Sequence, residues 1–192
     1  MDTNLLIAIA VLVVLVVIAA WLFERRQRTD RLKRQFGPEY ERTVRTAGGT
    51  ARGETALEAR QRRVAQLDIR PLDPEERGRF SERWRAVQAR FVDDPGGAVG
   101  DADALVGEAM QARGYPVGDF EQRAADVSVD HPVVVDHYRR AHEVALRLRD
   151  GRVTTEDLRR AMVDYRALFD DLLMPGEAPA QETAMNPARE AR

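Results

Sequence analysis

The chain has three histidines, and all of them fall within the twelve residues from His131 to His142. Acidic residues stand beside them, so the segment has the residue types of a metal site. On a helix, however, His137 and His142 are about 140° apart around the axis, and His131 lies about 9 Å along the axis from His137. One ion cannot contact all three side chains. We therefore expect no metal and no cofactor, and we retain His137 and His142 as candidates for contact with a partner.

Tyr115 is a third candidate for an interaction, because it stands in a tight Tyr-Pro-Val-Gly link between two helical stretches. A pocket near Tyr115 and the 131–142 segment would indicate a membrane-bound enzyme or a ligand-binding domain, and this alternative stays open. The chain has no cysteine, which excludes disulfides, thiolate catalysis and Cys-based metal sites. The glycines at 96, 97 and 100 do not form a phosphate loop, because no Gly-Lys-Ser/Thr follows them. We assign no catalytic residue.

Aromatic and basic residues are interleaved between Phe80 and Phe91, a composition also found in nucleic-acid-binding surfaces. At helical spacing, Phe80, Trp84 and Phe91 share one face while the arginines of this segment point elsewhere. This arrangement favours packing of the aromatic face in a core. We therefore expect no nucleic-acid partner.

The N-terminal part of the chain contains an apolar run of nineteen residues, Leu5 to Phe23, without a charge or a proline. As a helix it measures roughly 28 Å, which matches a hydrocarbon core of about 30 Å. A cleaved secretory signal would need positive charge before the run and an A-x-A-like cleavage site. Here the charge follows the run, and Trp21 suits an interfacial anchor. The sequence predicts a retained transmembrane helix over 5–23.

Basic residues dominate the segment that follows this run. Between positions 24 and 34 there are six basic and two acidic residues, a local charge of +4 in a chain whose net charge is −2. Because basic residues near a membrane helix stay on the cytoplasmic side, we predict a single-pass inner-membrane protein with its N-terminus outside and its body cytoplasmic. The same cluster can attract anionic headgroups of the lipid bilayer. The residues predicted to lie at the membrane surface are Arg25, Arg26, Arg28, Arg31, Lys33 and Arg34.

The rest of the chain is predicted to be all-α, because apolar residues recur at helical spacing and no convincing strand pattern is found. Phe36-Gly37-Pro38 should end the first helix, and Asp73-Pro74-Glu75-Glu76 is a strong start signal for a later one. A segment with Phe120 should form one or two turns, and Asp130 or His131-Pro132 should open the next helix. The predicted organisation is a short flank (1–4), a transmembrane helix (5–23), a basic juxtamembrane helix and flexible neck (24–52), a bundle of about five helices (53–174) and a disordered tail (175–192).

The stretch of roughly 36–173 contains three short motifs, which are W-R-A-V-Q-A-R-F-V-D-D-P, R-G-Y-P and D-H-P. This stretch resembles a group of uncharacterised bacterial proteins, mostly from high-GC organisms, that are labelled as membrane or secreted proteins. The resemblance implies one N-terminal membrane helix and a helical body, and it implies no activity. From the residues we expect a membrane-anchored protein-interaction or scaffold module whose protein partner the sequence does not name.

Overall fold

The computed structural model describes residues 3–116 and 118–174, with the side chains of residues 3–11 outside the described set. Over this part of the chain the fold consists of eight helices and no strand, which confirms the predicted all-α class. The predicted tail (175–192) and part of the predicted flank (1–4) lie outside the described residues. The helices are α1 (Thr3–Phe36), α2 (Pro38–Thr46), α3 (Thr50–Val64), α4 (Pro74–Arg90), α5 (Pro95–Ala112), α6 (Phe120–Asp130), α7 (Val135–Arg149) and α8 (Thr155–Leu173).

Helix α1 is a single uninterrupted helix of 34 residues. Its large apolar side chains from Leu12 to Phe23 are 46–62% exposed, whereas Leu32 and Phe36 near its end are fully buried. The first seven residues of the predicted span, 5–11, have side chains outside the described set. Within the part of the chain that is described, no helix combines the length and the apolarity that crossing a membrane requires.

The break between α1 and α2 falls at the predicted tripeptide. Gly37 has a φ of +48°, and Pro38 occupies the first turn of α2. A positive φ is strained for a residue with a side chain, and proline starts a helix without losing a hydrogen bond. Helix α2 ends before Gly48 and Gly49, which have φ of +73° and +147°.

The chain divides into two compact units. Unit 1 comprises Met1–Leu67 and Gly118–Arg140, and unit 2 comprises Asp68–Val117 and Ala141–Arg192. Helix α7 therefore contributes 135–140 to unit 1 and 141–149 to unit 2. The sequence places its boundary between a neck and a bundle at 52/53 instead.

Unit 1 has a small apolar core formed by Leu32, Phe36, Tyr40 and Leu57. Leu32 and Phe36 are spaced four residues apart on α1, and they form this cluster with Tyr40 of α2 and Leu57 of α3. Part of the segment predicted to be a neck, around Leu32, Phe36 and Tyr40, thus contributes to this core. The approach of α2 and α3 is close, since a Cβ on Gly53 would lie 2.7 Å from Cα of Val44.

Unit 2 is built on the packing of α4, α5 and α8. Trp84 of α4 stacks on Phe169 of α8 with ring centroids 4.7 Å apart. Of the predicted aromatic stripe on α4, Trp84 is buried, while Phe80 and Phe91 are only half-buried. Trp84, in the middle of the stripe, therefore packs in the core, and Phe80 and Phe91, at its two ends, lie at the edge of the core.

The start of α4 has the predicted capping box, in which the Asp73 side chain accepts from the Glu76 N–H and the Glu76 side chain accepts from the Asp73 N–H. Arg70 donates to both carboxylate oxygens of Glu76 at 2.7 Å. These hydrogen bonds stabilise the charged carboxylate, and they lower the pKa of Glu76 to about 2.

Helices α6 and α7 differ from their predicted extents. Helix α6 has 11 residues, about three turns instead of one or two. Helix α7 begins at Val135, later than the predicted start at Asp130 or His131-Pro132. The reason is that His131 is the C-cap of α6, with its N–H donating to the Val127 carbonyl, and its own carbonyl accepts from the Val135 N–H. Residues 131–134 therefore form a turn between two helices.

Candidate functional site

The six basic residues predicted to lie at a membrane surface fall into two classes in unit 1. Three have acidic partners: Arg28 contacts Glu58 at 2.7 Å, Arg31 contacts the same carboxylate at 4.0 Å, and Lys33 contacts Glu41 at 3.7 Å. The other three have no acidic partner among the described residues. These exposed side chains are Arg25, Arg26 and Arg34.

The three histidines are divided between the two units. His131 and His137 belong to unit 1, where the Nδ1 atom of His137 lies 2.8 Å from Arg140 Nη2. His142 belongs to unit 2. Among the described residues, no group of three or more His, Cys, Asp or Glu side chains is arranged to hold a metal ion.

His142 lies next to Asp103 and Tyr165, and the sequence did not predict that these three residues are close. Its Nδ1 atom is 3.5 Å from Asp103 Oδ1, and the hydroxyl of Tyr165 donates to the same oxygen at 2.9 Å. Tyr165 is fully buried, and Tyr115, also in unit 2, is only 2% exposed. Both tyrosine rings are therefore buried within unit 2.

A groove of about 440 Å³ lies in unit 1 between α1 and the start of α3. Its position follows from the fold of unit 1, because α2 reverses the chain and returns α3 to the side of α1. The guanidinium of Arg25 lies 5.5 Å from the centroid of the Trp21 ring at the groove. The groove is lined by Trp21, Glu24, Arg25, Arg28, Ala51, Glu54 and Thr55.

Glu54 forms the inner wall of this groove and is almost completely buried. Its Oε1 atom accepts a hydrogen bond from the Thr29 hydroxyl at 2.6 Å and another from the Tyr40 hydroxyl at 3.0 Å. Burial, followed by the hydrogen bond and the negative charge of Glu54, raises the pKa of Tyr40 to about 12. The Tyr40 hydroxyl therefore remains a donor to this carboxylate at neutral pH.

Two further buried acids hold the helices of unit 1 together. Glu39 accepts from Arg60 Nη1 and from Arg139 Nη2, both at 3.0 Å, and the Arg139 guanidinium also donates to Glu121. Asp126 is fully buried and accepts from Arg63. Sequence reasoning missed these acids, because no motif marks an acid whose partner lies 63 or 100 residues away.

Unit 2 has a groove of about 400 Å³ between α4 and α5. Its charged side chains are already paired across it: Arg83 donates to Glu108, and Arg90 donates to Asp101 at 2.6 Å. The hydrogen bond from Arg83 lowers the pKa of Glu108. Because these four side chains are paired, the unit 2 groove has fewer charged groups available to bind a charged ligand than the unit 1 groove has.

Comparison with family models, with curated proteins and with solved structures finds no match to this chain.

Proposed function

We propose that this is a membrane-anchored protein whose N-terminal transmembrane helix precedes a helical body that serves as a tethered interaction or scaffold module. The observation that carries the proposal is the exposed apolar surface of α1 from Leu12 to Phe23. These side chains surround the helix, whereas a helix that packs on a soluble body is apolar along one stripe. A contiguous apolar surface of this kind is typical of contact with a membrane or a partner.

The length of α1 supports an anchor that continues into the body. Its 34 residues correspond to roughly 51 Å, against about 30 Å for a hydrocarbon core. The remainder extends beyond the bilayer, and there Leu32 and Phe36 pack into the core of unit 1. One helix would thus both cross the membrane and belong to the folded body.

The charge distribution supports a cytoplasmic body at the inner membrane. Arg25, Arg26 and Arg34 are exposed without an acidic partner among the described residues, so they are available to anionic headgroups. Their position immediately after the apolar run predicts retention of this side of the helix in the cytoplasm.

An interaction role is supported by the arginines of α3. Arg60 and Arg63 are engaged by the buried acids of unit 1, whereas Arg52 and Arg62 are exposed and have no acidic partner within the described ranges. Two unmatched guanidinium groups on one helix suit a partner with an acidic surface.

Paired arginine substitutions test the anchor. Val14→Arg combined with Val17→Arg places two charges near the middle of the apolar run, where each costs about 2.5 to 3.5 kcal/mol in a membrane. We expect this variant to leave the membrane fraction after an alkaline wash, while the wild-type chain stays. Val92→Arg with Val163→Arg is the matched control, because both valines are exposed in unit 2. Equal membrane retention of the double variant in α1 would overturn the proposal.

A further inference from the structure

The groove between α1 and α3 adjoins the apolar part of α1. Trp21 lies in the last turn of the exposed apolar segment and lines the groove, and Glu24, Arg25 and Arg28 line it over the following two turns. If the apolar segment crosses a bilayer, as proposed above, this groove opens at the level of the lipid headgroups. The inference below rests on that proposed anchor.

The charges that line the groove are not those of a simple anion site. Arg28 is occupied by Glu58, with Nη2 donating to Oε2 at 2.8 Å and Nε lying 2.7 Å from Oε1. Its Nε also lies 3.9 Å from Glu54 Oε2. Arg25 has no acidic partner among the described residues, and it is the one guanidinium lining the groove that remains unmatched. Opposite charge is also present, because the exposed carboxylate of Glu24 lines the same groove. The buried carboxylate of Glu54 is already engaged by Thr29, Tyr40 and Arg28.

We propose that this groove binds the headgroup of a phospholipid that carries both a phosphate and a primary ammonium, of the phosphatidylethanolamine type. The phosphate pairs with Arg25, and the ammonium pairs with the carboxylate of Glu24. A purely anionic headgroup would place a second negative charge beside Glu24 and supply no cation for it. A choline headgroup has no N–H with which to donate to this carboxylate.

Quenching of Trp21 fluorescence by brominated lipids tests this proposal on the full chain in bilayers. The chain has two tryptophans, so the signal of Trp21 is obtained as the difference between the wild-type chain and the Trp21→Phe variant. Phosphatidylcholine bilayers receive the same mole fraction of brominated phosphatidylethanolamine, phosphatidylglycerol or phosphatidylcholine. We expect the ethanolamine lipid to quench Trp21 about twofold more strongly than either of the others, the signature of local enrichment.

Substitutions of two exposed groove residues, with two matched controls, test whether the groove causes the preference for the ethanolamine lipid. Arg25→Gln and Glu24→Gln should each reduce quenching by the ethanolamine lipid to the level of phosphatidylcholine. Arg26→Gln and Asp30→Asn, exposed residues of the same helix that do not line the groove, should leave the preference unchanged.

The other outcomes separate this inference from the proposed anchor. Equal quenching by all three lipids would keep α1 in the bilayer and overturn the headgroup site. Stronger quenching by phosphatidylglycerol would overturn it in favour of attraction by the basic segment as a whole. Absence of quenching by any of the lipids would overturn the anchor, and the site with it.

Discussion

Glu39 is a fully buried acid that two arginines share in unit 1. Without Glu39, Arg60 loses its acidic partner while Arg139 keeps Glu121, and leaving a buried group without a hydrogen-bond partner costs about 1 to 3 kcal/mol. We therefore expect Glu39→Ala to lower the free energy of unfolding by this amount, measured by denaturant unfolding of the full chain in mild detergent. Glu41→Ala is the matched control, because Glu41 is on the same helix and its side chain is 61% exposed. A loss at Glu39 no greater than at Glu41 would contradict the burial of this network.

Tyr40 gives the structure an alkaline signature. Its pKa is raised to about 12, so the folded state keeps the phenol neutral where the unfolded chain ionises near pH 10. The stabilisation it gives is complete below about pH 10 and is lost as the pH rises towards about 12. We expect the wild-type minus Tyr40→Phe difference in absorbance at the phenolate band to titrate near pH 12.

The same titration of Tyr40 in a Glu54→Gln variant tests the contribution of the Glu54 charge. Without the negative charge, the pKa of Tyr40 should fall towards its ordinary value, although burial still raises it. A Tyr40 component that titrates near pH 10 in the wild-type chain would show that the buried contact with Glu54 is not formed.

Individual residues were the least predictable level of this protein. Glu39, Glu54 and Asp126 look in sequence like ordinary surface acids, and their burial depends on arginine or hydroxyl partners supplied by other helices. Tyr115 was chosen from its local link, and its burial depends on packing that the link does not encode. The six basic residues after the apolar run were recognised, but which of them are paired depends on acids in α2 and α3.

At the scale of helices, a capping box at the start of α8 stabilises the helix through local hydrogen bonds. Thr154 accepts from the Asp157 N–H, and Asp157 accepts in return from the Thr154 N–H. Thr154→Ala should lower the free energy of unfolding by about 1 kcal/mol, measured by denaturant unfolding. Thr155→Ala, one residue further and exposed, should change it little. Equal effects at the two threonines would mean that this cap does not stabilise the helix.

Helix boundaries were largely predictable because their signals are local. Gly37-Pro38 and the Asp73 capping box each depend on residues within one turn, and both were found where the sequence placed them. The start of α7 was not, because His131 could cap the end of one helix as well as open the next. Local signals alone do not distinguish these two roles.

At the scale of the whole chain, the division into units was beyond sequence reasoning. Unit 1 joins the N-terminal segment to Gly118–Arg140, and this association depends on contacts such as that of Arg63 with Asp126. The boundary predicted at 52/53 relied on where one helix was expected to end and the next to begin, which reports local structure and not which helices share a core.

The proposed anchor can be tested directly through single cysteines, because the chain has none. Thr3→Cys places a thiol before the apolar run, and Val92→Cys places one at a position in unit 2 that is 82% exposed. Intact cells are treated with a membrane-impermeant maleimide that reaches the outer face of the inner membrane, and the labelling is repeated after permeabilisation. We predict that Thr3→Cys is labelled in intact cells and Val92→Cys only after permeabilisation. Labelling of Val92→Cys in intact cells, or protection of Thr3→Cys until permeabilisation, would contradict it.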